Sequence, residues 1–419
     1  MFNSEQLEKK WAPILEAPDA PEFSDATRKS ICAVLLENQE QALRENHSQA
    51  GFLAEDTSLA ADSVQNWDPV LISLVRRAMP SLIAYDVAGV QPMNGPTGLV
   101  FAMKSRYQSG ANASPAAQGV NAPEALFDNI DAGFSGNLAG TDAASGGVAT
   151  AAGEGDITQE MGFTIEKLSV EAKTRALKAE YTMELAQDLK KMHGLDAEAE
   201  LANILSTEIL AEINREVIGK VNWSAEAGAQ QAGLASPGTF DLDLDADGRW
   251  AVEKFKSLLF QIELESNEIA LNTRRGKGNW VICSSNVASA LAASGTLDYA
   301  GALSTKLNVD ITGNTFAGTL NGRIKVYVDP FATSDYITVG FKGSNSYDAG
   351  LYYCPYVPLT MMKSVDPNSF QPKIGFKTRY GMTANPLVSN GGTIGAITAG
   401  TNEYFRTFTV DNINTNPNT

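Results

Sequence analysis

A long alternation of apolar and polar residues at positions 163–179 constrains the fold more than any other part of the sequence. Its apolar phase comprises Leu168, Val170, Ala172, Thr174 and Ala176. The opposite phase, from Lys167 to Arg175, is mainly charged. An alternation with period two predicts a half-buried β-strand, here of unusual length. A strand needs a partner, and residues 99–107, which also alternate, are the candidate.

Two apolar residues at the start of this alternation fall out of step. Phe163 and Ile165 lie in the phase opposite to Leu168. An extra residue in one strand shifts the phase of the side chains that follow, so the sequence predicts a β-bulge near Glu166 and Lys167.

The segment between the two predicted strands has an unusual composition. No Lys or Arg occurs between Arg106 and Lys167, and most of residues 109–156 are Ala, Gly, Ser and Asn. Such a segment buries too little apolar surface to order itself. The sequence therefore predicts a two-stranded arm with an Ala/Gly-rich tip. Because an isolated pair of strands is marginal in water, the arm needs another surface to lie on, such as a neighbouring subunit.

Four segments have helical periodicity. Residues 26–46 predict an amphipathic helix, with Ser24 or Asp25 as its N-cap, and residues 70–84 predict a second helix that runs into Pro80. Residues 196–221 carry an apolar stripe that recurs every four residues, and this helix would be roughly 39 Å long at 1.5 Å per residue. Residues 249–272 predict the fourth helix.

The rest of the chain predicts a mixed α+β fold. An extended segment is predicted at 82–90 and a short helix at 284–293. Strands are predicted at 279–283, 323–328, 336–341, 351–356, 371–381 and 404–410. The strand at 323–328 follows an Asn321-Gly322 pair, which is typical of a tight hairpin turn.

Composition and charge disfavour several classes of protein. The formal net charge of −17 does not suit a general phosphate binder, which needs a cationic face. The three cysteines are far apart and odd in number, so neither disulfides nor a zinc site is expected. The N-terminus shows no secretory signal, and the most apolar window, residues 69–84, is interrupted by Arg76 and Arg77 and is too short for a bilayer.

The sequence contains no motif of a known active site. His47 and His193 are its only histidines, and His193 is interpreted as a cation at a helix C-terminus. One partial match is the run Asp243, Asp245 and Asp247, which resembles the first half of an EF-hand loop. Its twelfth position is Lys254 where calcium binding needs Glu. The run is therefore interpreted as acids placed before a helix start, and calcium binding is the less favoured alternative.

Several long segments of the chain resemble one family. They are residues 75–86, 90–98, 178–188, 193–201, 209–217, 348–356 and 370–381. They resemble the major capsid protein family of T-even-like myoviruses, in which the resemblance implies an HK97-type capsid fold. In that family the extended loop contains a folded insertion domain, whereas this chain has the Ala/Gly-rich stretch in its place.

The resemblance also implies a domain organisation. Residues 1–55 would be a propeptide, 56–95 an N-terminal arm, 96–180 an extended loop, 181–248 a peripheral domain with a spine helix, 249–358 an axial domain, and 359–419 the return to the peripheral domain and a C-terminal strand. In this scheme the predicted two-stranded arm is the extended loop, and it would lie over the next subunit.

The family is made as a precursor, from which a prohead protease removes the N-terminal segment after a Leu/Ile-x-Glu motif. Leu53, Ala54 and Glu55, followed by Asp56, match this motif at the expected boundary. Other matches are residues 14–16, 35–37, 43–45 and 210–212. The first three lie in the segment to be removed and the last lies in the predicted spine helix, so the resemblance favours a cut after Glu55.

The implied function is assembly of copies of the chain into hexamers and an icosahedral or prolate shell around phage double-stranded DNA. The implied partners are a vertex protein, a scaffold and the prohead protease during assembly, and decoration proteins, with no membrane, cofactor or catalytic residue. The virion would be the final location, after assembly in the host cytoplasm. A pentameric vertex protein of the same fold is the alternative, and a calcium-dependent or hydrolytic enzyme is the alternative from another class.

Overall fold

The structure, a computed structural model, describes residues 4–16, 25–50, 82–109, 124–125, 159–295, 297–298, 315–345, 347–366, 371–388 and 395–413. Most of the predicted helix at 70–84, most of the Ala/Gly-rich tip, and the four residues of the favoured cleavage site lie outside these ranges.

The described part of the chain is α+β, as predicted. Its helices are α1 (Ser4–Leu15), α2 (Ala26–Ala50), α3 (Ala84–Val87), α4 (Met183–Met192), α5 (Ala197–Ser224), α6 (Ala251–Thr273) and α7 (Ser285–Ala293). The predictions for α2, α5, α6 and α7 are confirmed within a few residues. Asp196 begins α5, since its carboxylate accepts a hydrogen bond from the backbone N–H of Glu198 at 3.1 Å.

One local prediction is wrong, because residues 82–90 are not extended throughout. The short helix α3 interrupts them, and Leu82, Ile83 and Val87 are buried. The side-chain oxygen of Asn214, on α5, accepts a hydrogen bond from the backbone N–H of Ile83 at 3.1 Å. Packing against α5 therefore favours the helical turn over the extended form.

The strands form two sheets and one separate pair. They are β1 (Gly89–Val90), β2 (Thr97–Ser109), β3 (Gln159–Glu171), β4 (Lys173–Glu180), β5 (Ala225–Ala227), β6 (Thr239–Asp241), β7 (Trp280–Ser284), β8 (Leu297–Asp298), β9 (Thr315–Leu320), β10 (Ile324–Asp329), β11 (Tyr336–Gly340), β12 (Leu351–Val365), β13 (Pro372–Ala384) and β14 (Asn402–Asp411). The first sheet has the order β1-β12-β13-β4. The second has the order β5-β14-β11-β7-β10-β9-β8, with β6 also paired to β14.

The second sheet contains the predicted turn between β9 and β10. Asn321 and Gly322 have φ values of 50° and 67°, the left-handed region that a tight hairpin turn requires and that Asn and Gly tolerate best. The C-terminal strand β14 lies between β5 and β11 in this sheet, so the end of the chain packs with the strands of residues 280–340.

The separate pair β2–β3 is the predicted two-stranded arm. Its antiparallel register runs without interruption from Thr97 opposite Glu171 to Ser109 opposite Gln159. The predicted bulge near Glu166 and Lys167 is therefore wrong. The interruption falls at Ala172, whose backbone N–H donates to the carbonyl of Pro96 at 2.9 Å.

The side-chain phase changes at this interruption. Up to Ala172 the predicted apolar phase faces inward, but beyond it the inward positions are Arg175, Leu177 and Ala179. The reason is that the two halves of the long strand belong to different sheets. β3 pairs with β2, whereas β4 pairs with β13.

One apolar core joins the two sheets and the long helix α5. Six of the apolar α5 residues in it are Leu205, Ile209, Leu210, Ile213, Val217 and Val221. The N-terminal helices contribute Trp11, Leu15, Cys32 and Leu36 to the same cluster. The N-terminal segment is therefore packed as part of the main body.

Candidate assembly surfaces

The inner face of the arm is fixed to the body at its base. Val100 on β2 and Val170 on β3 are 2% and 4% exposed. They form a small buried cluster with Met93, Tyr352 and Cys354, and the last two lie on β12. The base of the arm is therefore held by apolar packing against the first sheet.

Further along the arm, the inner face is polar and satisfies its own charges. The guanidinium of Arg106 donates to the Glu166 carboxylate at 3.0 Å and to the Thr164 hydroxyl at 3.1 Å. The ammonium of Lys104 lies 3.6 Å from the other oxygen of Glu166. Near the tip, Glu124 forms an ion pair of 3.0 Å with Arg275, just beyond α6.

The outer face of the arm is apolar and exposed. It carries Leu99, Phe101 and Met103 from β2 and Met161, Phe163 and Ile165 from β3, each between 52% and 76% exposed. All six share one face, since the register places Met103 opposite Ile165 and alternate residues of a strand point the same way. We call these six residues the outer arm face. A contiguous apolar patch of this kind is typical of an interaction surface.

The second exposed apolar region lies at the start of the long helix. Helix α4 has no buried residue, and Met183, Leu185 and Met192 are at least half exposed. Ile204 on α5, which its spacing would place in the core stripe, is also exposed at 63%. These residues are consistent with a second contact surface beside α5.

Polar contacts supplement the apolar docking of the N-terminal segment. The side-chain amide of Asn38, itself buried, donates to the backbone carbonyls of Met93 at 2.8 Å and Tyr356 at 3.0 Å. Arg28 forms an ion pair of 2.5 Å with Asp86, which ties the first turn of α2 to α3. The segment is thus held by a buried amide, an ion pair and a shared core.

The cleavage motifs differ in how accessible the structure makes them. Leu53, Ala54, Glu55 and Asp56 lie outside the described residues, so the favoured cut stays a prediction. Within α2, Leu35 and Leu36 are fully buried, and Leu210 is buried on α5. Glu16, in contrast, is exposed just after the end of α1.

The acidic run before α6 is occupied by internal contacts. Asp243 forms an ion pair of 2.5 Å with Lys254, and the Asp245 carboxylate accepts from two backbone N–H groups, those of Ala235 and Asp241. The acid that caps α6 is Glu253, which accepts from the backbone N–H groups of Arg249 and Trp250. The capping interpretation therefore applies to Glu253 and not to the aspartates.

Neither a metal-ligand cluster nor a membrane-spanning helix occurs within the described ranges. Among them, no group of three or more His, Cys, Asp and Glu side chains is arranged to hold a metal. No helix in the same ranges has both the length and the apolar character needed to cross a bilayer. His193 follows the last turn of α4 as its C-cap, as predicted.

One polar cluster was missed by sequence reasoning. Arg175 on β4 donates to Glu212 at 2.5 Å and to Glu216 at 2.6 Å, both on α5, and also to the Tyr380 hydroxyl at 3.0 Å. Burial raises the pKa of Glu216, but hydrogen bonds from Lys220, Tyr380 and Arg175 lower it by more, so the pKa lies below its ordinary value. The cluster joins the first sheet to the long helix, and the sequence contains no signal for it, because the alternation placed Arg175 in the outward, charged phase.

An exposed apolar arm, a docked N-terminal segment and a long central helix define a structural protein that works through extended contacts with other chains. Residues 64–410 match the model of a protein family described as "Major capsid protein Gp23". The major capsid protein of Enterobacteria phage T6 is 39% identical, over 92% of this chain and 96% of its own. The chain belongs to this major capsid protein family, and the predicted resemblance is confirmed.

Two further comparisons qualify this result. The capsid vertex protein of Enterobacteria phage T4 is 29% identical over only 54% of this chain and 53% of its own, so the major capsid function is favoured over the vertex alternative. Among solved structures, the capsid of Myoviridae phage XM1 covers 78% of this chain and 92% of its own at 13% identity. The TM-score of that comparison is 0.39.

The phage T6 protein also differs from this chain by inserted residues. The alignment spans 481 positions, which is more than the 419 residues of this chain. The T6 protein therefore contains residues that this chain lacks.

Proposed function

We propose that the chain is the hexamer-forming subunit of a tailed-phage head shell that encloses double-stranded DNA. The observation that carries this proposal is the outer arm face, six exposed apolar side chains on a strand pair whose base packs against the first sheet. A subunit buries such a surface when the arm lies over a neighbouring copy. Family membership supports the shell role and a location in the virion.

Burial of the outer arm face against another copy would stabilise association. Burying a large apolar side chain contributes about 1.5–3 kcal/mol, so two of the outer residues account for several kcal/mol of association. Each 1.4 kcal/mol corresponds to about tenfold in an association constant. A shell repeats this contact in every subunit, and closed symmetry limits its size.

Electron microscopy of particles tests the arm contact. The double variant Phe163→Thr and Ile165→Thr places β-branched threonine, which suits a strand, at both positions and removes apolar surface. We expect it to remain folded and to form few or no particles in the presence of scaffold. Val365→Thr, at another exposed strand position, is the matched control. Particles of the double variant in wild-type numbers would contradict the proposed contact.

We also propose that residues 1–55 are a propeptide that engages a scaffold and is removed by the prohead protease after Glu55. The docking of α1 and α2 supports a role in the precursor, because the segment completes the core before it is lost. Mass spectrometry of the N-terminus from purified particles tests the cut. A chain that starts at Asp56 would support the proposed cut, and a chain that still starts at Met1 would contradict it.

The same proposal includes the predicted domains and partners. The two sheets and α5 support a peripheral and an axial domain, with β14 packed against the axial strands. The vertex and decoration proteins would bind the assembled shell, which would form in the host cytoplasm and act without catalysis. The vertex alternative predicts a low copy number, so counting this chain per particle separates the two roles.

A further inference from the structure

A cavity of about 480 Å³ lies between the first turn of α2 and the ends of central strands of the second sheet. Its walls include residues of α2, the turn around α3, and the strands β7 and β10. Four cations line it, namely Arg28, Arg323, Lys325 and Lys342, and two acids, Asp25 and Asp86. In a chain with a net charge of −17, a cavity with more cations than acids is unusual.

The acids do not neutralise all of these cations. Arg28 is paired with Asp86 at 2.5 Å, and Arg323 is paired with Glu263 at 3.2 Å. Lys325 and Lys342 form no ion pair with any residue in the described ranges. Two positive charges therefore share one cavity without a carboxylate of their own.

Lys342 is the more enclosed of the two. Its ammonium donates one hydrogen bond to the backbone carbonyl of Tyr85, which leaves two of its three N–H groups for other acceptors. Burial lowers the pKa of Lys342 to about 8; the charges of Arg28 and Lys325 act in the same direction, and those of Asp86 and Asp25 oppose them only in part. An enclosed ammonium that no carboxylate contacts directly is costly, and an anion beside it lowers that cost.

We propose that this cavity is an oxyanion site in which Lys325 and Lys342 bind a phosphate or carboxylate group. The first turn of α2 adds its positive dipole end to the same cavity. A bound anion would bridge the N-terminal segment to the second sheet and stabilise the docked form of α2. The site does not depend on the proposed cut or on the arm contact.

Isothermal titration of the purified full-length chain tests the site. The probes are inorganic phosphate and glutarate, each compared with sodium chloride at equal ionic strength so that general screening is subtracted. A saturable heat with either anion supports the site. The comparison between them tells whether phosphate or carboxylate is the better ligand.

Matched variants assign the binding to the two lysines. Hydrogen bonds to a charged group contribute about 1.5–3 kcal/mol, so we expect Lys325→Met to bind at least about tenfold more weakly and the double variant with Lys342→Met to show no saturable heat. Lys256→Met, an exposed lysine on α6, is the control and should bind as the wild type does. No saturable heat with either anion would overturn the proposal. Equal affinity of Lys325→Met and the wild type would also overturn it, and that exposed position leaves the fold intact.

Discussion

Truncation of Leu36 to alanine is expected to destabilise the whole precursor and not only its first helices. Leu36 is 2% exposed on α2, and it belongs to the same apolar cluster as the central helix α5. Replacing a fully buried leucine by alanine removes its transfer free energy and leaves a cavity, at a cost of about 2–5 kcal/mol. We expect this loss in the free energy of unfolding of the uncut chain.

The matched control is Leu185→Ala, which makes the same chemical change at a position that is 52% exposed on α4. Surface substitutions of this kind usually change the free energy of unfolding by no more than about 0.5 kcal/mol. Urea unfolding followed by tryptophan fluorescence and circular dichroism compares the two variants with the wild type.

The assay distinguishes a shared core from an independent N-terminal unit. If α2 is part of the main core, Leu36→Ala lowers the midpoint of the principal transition. If α2 is only loosely attached, the variant leaves that midpoint unchanged and merely speeds proteolysis of residues 25–50. An unchanged midpoint would refute the reasoning that the segment completes the body.

Three further predictions follow from close contacts and buried groups. In Gly381→Ala the new Cβ would lie 2.5 Å from a methyl group of Val170 at the base of the arm. Such overpacking should lower the free energy of unfolding in urea by about 1–3 kcal/mol. Wild-type stability of the variant would show that the base of the arm rearranges at little cost. The lowered pKa of Glu216 contributes stability that is present above the pKa of an unfolded glutamate and is lost as the pH falls through the pKa of the folded state. Glu216→Gln should therefore reduce the loss of stability with falling pH. An unchanged pH dependence would contradict this role of Glu216. Burial raises the pKa of the Cys283 and Cys354 thiols to about 12, so neither should react with iodoacetamide at pH 8 until urea is added; rapid labelling of the native chain would contradict their burial.

The long helices and their ends were predictable from the sequence because their signals are local. Asp196 precedes an apolar stripe with a spacing of four, and the structure starts α5 at the next residue. Asn321 and Gly322 likewise predicted a turn, because few other residues adopt its backbone angles. The arm was predictable as two alternating segments around an Ala/Gly-rich stretch.

The predictions that were wrong concern features that depend on pairing between distant strands. Whether residues after Ala172 continue in phase depends on β13, nearly two hundred residues away, so no local pattern shows it. The strand β12 runs to Val365, well past the predicted end at Tyr356, because its register shifts around Pro355 and between Val357 and Thr360 accommodate residues that usually end a strand. The docking of α2 against β12 has no sequence signature of its own.

The direct passage from β3 to β4 has a mechanical consequence. Only Ala172 separates the arm from the strand that pairs with β13, so no loop exists there to absorb a pull. A tension applied to the arm by an adjoining molecule passes along the covalent backbone into the first sheet. Three residues further on, Arg175 transfers part of that load to the long helix. The connection therefore suits an arm that is pulled along its length, because the pull reaches paired strands and an ion pair before any loop.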